Sequence, residues 1–288
     1  MIRMTELVFL KLGGSLITDK TLPYTPRLEK LADLAAQIAR ARESAPDLGL
    51  VLGHGSGSFG HTAAKQYKTR DGAPLRLPPN AEHLGGVARS AEGGEGEYWR
   101  GFAEVWYQAS ALNRFVMESL HSAGIPALAL APVSAVVSGG GKVSGWNLTP
   151  LKAALSAGLV PVIYGDVIFD TIKGGTILST EDLFEFLAQK LQPQRILLAG
   201  LEGAVWADFP ARQVRVENIT PASFNEIKQK VGASHGADVT GGMESKVKQM
   251  LDLVTEIPGL TAQIFSGEDA GGVELALAGR NLGTLISL

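Results

Sequence analysis

The 288-residue chain contains no cysteine. That excludes a disulfide scaffold, a thiolate nucleophile and a zinc-thiolate site, and it fits a reducing cytoplasm. It also lacks a basic excess: 26 Lys and Arg face 29 Asp and Glu, a formal net charge of −3, which argues against general nucleic-acid binding. No apolar run is long enough to cross a bilayer. The N-terminal segment passes straight into a strand-like run without a signal-peptide core, so a soluble, cytoplasmic protein is expected. There is no internal repeat, low-complexity tract or Pro/Ser-rich linker, and no G-x-x-x-x-G-K-[ST] phosphate loop. A chain of this length can bury one large α/β core or two tightly joined lobes.

What is present is a regular alternation of short apolar runs and longer helical patterns, the signature of a wound α/β sheet. Strands are expected at 7–12, 48–52, 125–130, 159–164, 195–199, 262–266 and 283–287, with 273–278 between the last two and a ribbon over 167–178. Helical spacing marks 28–41, 98–123, 150–156, 180–191, 222–230 and 244–254, with a further helix starting over 62–67. Ser179 or Thr180 ahead of Glu181 and Asp182 reads as a capping start. The stretch 69–97, rich in Gly, Pro and charge, reads as loop plus a short helix. A soft lobe boundary falls near Gly174-Gly175 within one domain.

Two glycine turns follow strand-like runs: Lys11-Leu12-Gly13-Gly14-Ser15 and Gly53-His54-Gly55-Ser56-Gly57-Ser58-Phe59-Gly60-His61. Glycine lets the main chain approach a phosphate, and the amides opening the next helix point at the anion. Gly55, Gly57 and Gly60 satisfy G-x-G-x-x-G, but after the second strand rather than the first, and Glu82 is poorly placed for a dinucleotide site. Lys11 ends an apolar strand, where an ammonium is costly without an anionic partner. With Lys20, and with Lys246 one turn beyond Thr240-Gly241-Gly242-Met243, it can neutralise charge on a transferred phosphoryl group. His61 can donate to a phosphate oxygen, while His54 can point into the sheet instead. Asp166, at a strand's carboxyl end, can orient the lysines by charge pairing. Each has a plainer alternative: an edge lysine at 11, a solvated lysine at 20, a helix cap at 61, a loop or cap aspartate at 166.

These motifs together resemble the amino acid kinase superfamily and, within it, the isopentenyl phosphate kinases. The resemblance rests on the Lys11 turn, Thr18-Asp19-Lys20, Gly55 to His61 with Ala64-Lys65-Gln66-Tyr67 behind, Ile125-Pro126-Ala127, 159–166, and Asp238 to Met243 with Lys246. It implies an open αβα sandwich with a mainly parallel central sheet, usually a homodimer, and phosphoryl transfer from ATP to isopentenyl phosphate, with dimethylallyl phosphate as a second acceptor. By that resemblance Lys11, Gly13, Gly14 and Ser15 meet the ATP phosphates, Lys20 stabilises the transition state and Asp166 organises the lysines. Gly242 and Lys246 lie on the nucleotide side, as does position 200. His61, Ser56, Gly57 and Thr180 hold the acceptor, and Gly57 also borders the nucleotide. Mg2+ is held mainly by the phosphates. An acceptor lobe spans about 1–174 and a nucleotide lobe about 175–288.

The chain departs from the family pattern in three places. Relatives carry an Asp that touches the nucleotide where this chain has Gly200, and a Gly-Asp-Asp where it has Thr180-Glu181-Asp182. Residues 85–97 look like an insertion. Phe102, Val105, Trp106 and Ala109 share a helix face, and Phe102 and Trp106 are large enough to set the depth of a prenyl pocket, although an aromatic stripe is also ordinary core. The alternatives are phosphorylation of another small phosphonate or phosphate, such as fosfomycin, and a non-catalytic nucleotide-binding protein on the same fold.

Overall fold

The computed structural model describes residues 4–67, 69, 72, 93–227 and 242–288. In chain order its elements are β1 (Glu6–Leu12), a single-turn α1 (Gly14–Ile17), α2 (Leu28–Ser44), β2 (Leu48–His54), α3 (Gly57–Tyr67), α4 (Gly93–Ser122) and β3 (Ala127–Ala129). There follow β4 (Val136–Gly139), β5 (Lys142–Trp146), α5 (Thr149–Ser156), β6 (Val160–Tyr164), β7 (Asp166–Asp170), β8 (Gly174–Leu178) and α6 (Thr180–Leu191). The chain then forms β9 (Arg195–Gly200), β10 (Asn218–Ile219), α7 (Pro221–Ile227), α8 (Met243–Glu256), β11 (Thr261–Ser266), α9 (Gly272–Leu277) and β12 (Thr284–Ile286).

Eight strands form one sheet in the order β10-β12-β11-β9-β1-β2-β6-β3, and its pairs are parallel except β11 with β12. The central strands carry near-continuous apolar runs because helices cover both faces. Val8, Leu10 and Leu12 of β1 enter one core with α2 and α9, while Leu7 and Phe9 enter the other with α6 and α8. This alternation follows from the two-residue period of a strand, and it puts Lys11 on the α6 side. The architecture is the expected αβα sandwich.

A second, four-stranded sheet, β5-β4-β7-β8, stands beside the first. The expected ribbon over 167–178 is the β7–β8 hairpin, but the β4–β5 hairpin lies in a stretch for which the sequence reading named no element. Helix α4 begins at Gly93, well before the expected residue 98, so the end of the loop region and of the 85–97 segment is helical. Glu82, most of 85–97, the last residues of the expected helix 222–230, and Asp238 to Gly241 lie outside the described residues. The suggested boundary near 174 falls at the β7–β8 turn, and β1, pairing with β2 on one side and β9 on the other, joins both halves into one sheet. Among the described residues no helix is long and apolar enough to cross a membrane.

Candidate active site

The two glycine turns meet above the carboxyl ends of β1 and β2, the edge at which open parallel sheets receive ligands. The Gly55 amide donates to Leu12 O at 3.0 Å, and the Gly13 amide to Ala199 O at 2.8 Å. Gly14 and Gly57 touch through their main chains: a Cβ on Gly14 would stand 2.4 Å from the Gly57 nitrogen. Gly57 itself adopts φ +50°, a left-handed conformation that favours glycine. Thr18 ties the pair, its hydroxyl donating to Gly14 O at 2.7 Å and accepting from the Ser58 amide at 3.0 Å. The two cradles are therefore one continuous backbone surface.

That surface lines a cleft of about 550 Å³. Lys11, Gly13, Gly14, Ser15, Lys20, Ser56, Gly57, His61, Thr180, Gly200 and Lys246 all line it. Lys65, one turn beyond His61 on α3, reaches it as well. Its cationic side chains are Lys11, Lys20, Lys65, Arg212 and Lys246, against the carboxylates Glu181 and Glu202. Among the described residues the cleft thus collects positive charge in a chain whose formal net charge is −3. Such a bias suits phosphate-bearing ligands.

The register explains how the floor of the cleft is built. Lys11 pairs with Gly53, and the missing Cβ there admits α6: a Cβ on Gly53 would meet Thr180 Cγ2 at 2.4 Å and the Phe184 ring at 2.8 Å. The Thr180 hydroxyl donates to His54 O at 2.6 Å and pins the start of α6 to the end of β2. Ser179 caps the helix, accepting from the Asp182 amide at 3.1 Å while Asp182 accepts from the Ser179 amide at 2.7 Å. Glu181, in the first turn, is thereby carried onto the Lys11 ammonium as a buried ion pair. Burial pushes the Glu181 carboxyl up, but the charges of Lys11 and Lys246 outweigh it and hold the group below the usual carboxylate range.

Asp166, expected to organise the lysines, is placed elsewhere. It is fully buried where β6 passes into β7, is not among the residues lining the cleft, and accepts from the Val167 amide at 2.8 Å. Burial pushes its carboxyl up to about 8, with the Val167 and Val133 amides opposing. Lys11 is in contact with the Glu181 carboxylate. The sequence signal for it was present in Thr180-Glu181-Asp182, but its partner stands 170 positions away and β1–β2 pairing is needed to see the contact. Gly242 is the N-cap of α8; Met243 and Lys246 from that helix reach the cleft.

His54 lies in the core, as one reading of its turn allowed: its Nε2 is 3.1 Å from Asn113 Oδ1 and its ring stacks on Tyr164 at 5.3 Å. Burial lowers its pKa. Of the two aromatic residues expected to set a tail pocket, neither lines the cleft. Phe102 is buried in a cluster with Tyr98, Val105 and Val167 that packs against Ile177, which does line it. Trp106 is 43% exposed and off the buried face of α4, because Phe102, Val105, Ala109 and Leu112 complete the three-and-four spacing without it.

Comparison with known proteins agrees with this fold. A sequence model of the amino acid kinase family matches residues 6–266. The chain is 31% identical to isopentenyl phosphate kinase of Methanocaldococcus jannaschii over 286 residues, covering 97% of this chain and 98% of that protein. It is 36% identical to isopentenyl phosphate kinase of Haloferax volcanii over 288 residues, covering 98% of each. A solved structure of isopentenyl phosphate kinase superposes with a TM-score of 0.78 at 25% identity, covering 98% of this chain and all of that one.

Proposed function

The chain belongs to the amino acid kinase family, and from that premise we propose that it transfers the γ-phosphoryl group of ATP to isopentenyl phosphate. The product is isopentenyl diphosphate, a step of isoprenoid biosynthesis, and dimethylallyl phosphate serves as a second acceptor. The observation that carries the reading is the fused pair of glycine cradles, with the Lys11–Glu181–Lys246 cluster beside one and His61 beside the other.

An oxygen of the acceptor phosphate attacks the γ-phosphorus, the bond to the β,γ-bridging oxygen breaks, and ADP leaves. Such transfer needs position and charge rather than a covalent intermediate. Lys11, with the amides of Gly13, Gly14 and Ser15, faces the donor phosphates. Lys246 enters from α8, and Lys20, on its exposed loop, is free to follow the moving phosphoryl group. Glu181 is a positioning residue: it fixes Lys11 without neutralising the lysine cluster, since its single negative charge is shared by two ammonium groups. His61, Ser56, Gly57 and the α6 start at Thr180 take the acceptor phosphate, and the tail runs toward Ile177 and the aromatic cluster behind it. Residues before about 174 then carry the acceptor turn, and those after about 175 supply β9 and α8 on the nucleotide side, with the Lys11 turn between them.

Mg2+ bound with the nucleotide would offset phosphate charge. The cleft fits that arrangement, because Glu181 is committed to Lys11 and Glu202 to Arg212, leaving the phosphates to hold the ion. Among the described residues no cluster of three or more acidic or histidine side chains offers a separate metal site. A homodimer and a cytoplasmic location, both expected from the sequence, belong to the same proposal; light scattering reads the first directly.

The test is turnover of ATP with isopentenyl phosphate, dimethylallyl phosphate, fosfomycin and simple amino acids as separate acceptors, each product identified by mass. Isopentenyl diphosphate is expected. Turnover with fosfomycin alone, or with none, would overturn the reading.

A further inference from the structure

Beyond the lysines, the nucleotide side of the cleft is walled by a loop that neither the phosphates nor the acceptor would occupy. Residues 206–215 fold back on themselves, with Ala207 N donating to Val214 O at 2.9 Å and Trp206 bridging Arg215. Asp208 ties the loop's tip by accepting from the amides of Gln213 and Val214 at 3.0 Å. At that tip Arg212 adopts φ +55°, an uncommon conformation for a side-chain-bearing residue and one that clusters at functional positions.

Two neighbours hold its guanidinium. The centre of the group lies 4.9 Å from the Phe209 ring centroid, so one face is covered. Its Nε and Nη2 donate to Glu202 at 2.9 and 2.7 Å, so one edge is spent. These bonds hold the Glu202 carboxyl below its usual range, and Lys20 adds to the effect. Phe209, Arg212 and Glu202 all line the cleft, and the Arg212 side chain is 45% exposed. What it offers a ligand is its remaining flat face. Among the described residues the floor at Gly200 is open: the nearest atom that a Cβ there would meet is the Glu202 nitrogen, at 3.9 Å.

We propose that Arg212, held flat by Phe209 and Glu202, is a stacking platform for the nucleobase of the phosphoryl donor. Every base has a π-face, so stacking on a guanidinium binds adenine and guanine alike. With no side chain at Gly200 to read a base edge, the chain accepts ATP and GTP with little discrimination. The inference rests on the nucleotide assignment made above and names the residue that holds the base without reading its identity.

The test is equilibrium titration of the full chain with the non-hydrolysable β,γ-imido analogues of ATP and GTP, with magnesium and without acceptor. The wild type is expected to bind the two within about ten-fold of each other. Arg212→Met should weaken both by about ten-fold. Arg212→Lys should weaken them similarly, because it keeps the charge but not the planar face. A preference for one base beyond ten-fold, wild-type affinity in Arg212→Met, or wild-type affinity in Arg212→Lys would each overturn the platform. Because no acceptor is present, these results are independent of whether isopentenyl phosphate is turned over. Failure of acceptor turnover would sink the proposed function while leaving the titration interpretable.

Discussion

Two buried carboxylates in neighbouring regions meet opposite fates. At the start of α6, Glu181 lies between Lys11 and Lys246, and their charges overcome its burial and keep it ionised. At the β6–β7 junction, Asp166 is equally buried but has main-chain amides for company, and burial pushes it up to about 8. Both belong to short acidic motifs beside strand ends, so burial alone does not tell them apart. The difference lies in what surrounds each group: β1 brings an ammonium to Glu181, whereas the influences acting on Asp166 are burial and the Val167 and Val133 amides. A buried carboxylate kept ionised by two ammonium groups can hold those cations in place for an incoming phosphate, while one held partly protonated serves the local main chain.

The sharpest way to break this comparison is Lys11→Ala. It leaves a buried carboxylate short of its closest partner, which should cost about 3–5 kcal/mol of stability. Phosphoryl transfer should fall by about 10²–10³-fold. Denaturant unfolding and steady-state kinetics read the two effects; a loss below about 1 kcal/mol would mean the pair is solvated.

Asp166→Asn probes the other carboxylate through pH. The Asp166 pKa is raised on folding, so the folded state binds more protons than the unfolded one between about pH 4 and 8. Wild-type stability contributed by this group is full below the unfolded pKa and lost as pH rises through the folded one. Asparagine keeps the acceptor for the Val167 amide and removes the ionisation. The variant's stability relative to wild type should therefore improve from pH 5 to pH 8, by about 3–4 kcal/mol. Thermal melts across that range supply the check, and a flat difference would show that Asp166 does not titrate there.

On the proposed acceptor side, His61→Ala tests the proposed charge-assisted contact between His61, which lines the cleft, and the acceptor phosphate. Acceptor binding should weaken by about 1.5–3 kcal/mol, with the KM for ATP little changed. Equal effects on both substrates would place His61 between the two phosphates instead. The smallest effect is expected for Trp106→Ala. This exposed side chain does not line the cleft, so prenyl chain-length preference and stability should stay within about 0.5 kcal/mol of wild type. Turnover of longer prenyl phosphates by that variant would restore Trp106 to the tail pocket.

These contrasts also show what could be read without coordinates. The strands at 7–12, 48–52, 159–164 and 195–199 were legible because helices cover both faces of the parallel sheet, so each strand is a solid apolar run. The glycine turns were legible because close backbone approach leaves few alternatives to glycine at positions 14 and 57. The β4–β5 hairpin was not, since only β4 buries side chains, at alternate positions, and β5 buries none, so no long apolar signal flanks the Gly139-Gly140-Gly141 turn. Glu181 was hidden for another reason. Its character is conferred by residues 11 and 246, which only the register of the sheet and the start of α8 bring to it. Trp106 was misleading because an aromatic one position off a helical stripe looks, in sequence, like part of it.

Kinetics of Glu181→Gln measured beside Asp166→Asn at pH 7, with ATP and isopentenyl phosphate, test the central assignment most directly. If Glu181 organises the lysines, its variant loses about a hundred-fold or more in kcat with the acceptor KM nearly unchanged, while Asp166→Asn stays within a few-fold of wild type. The reverse pattern, a crippled Asp166→Asn beside a competent Glu181→Gln, would contradict the account.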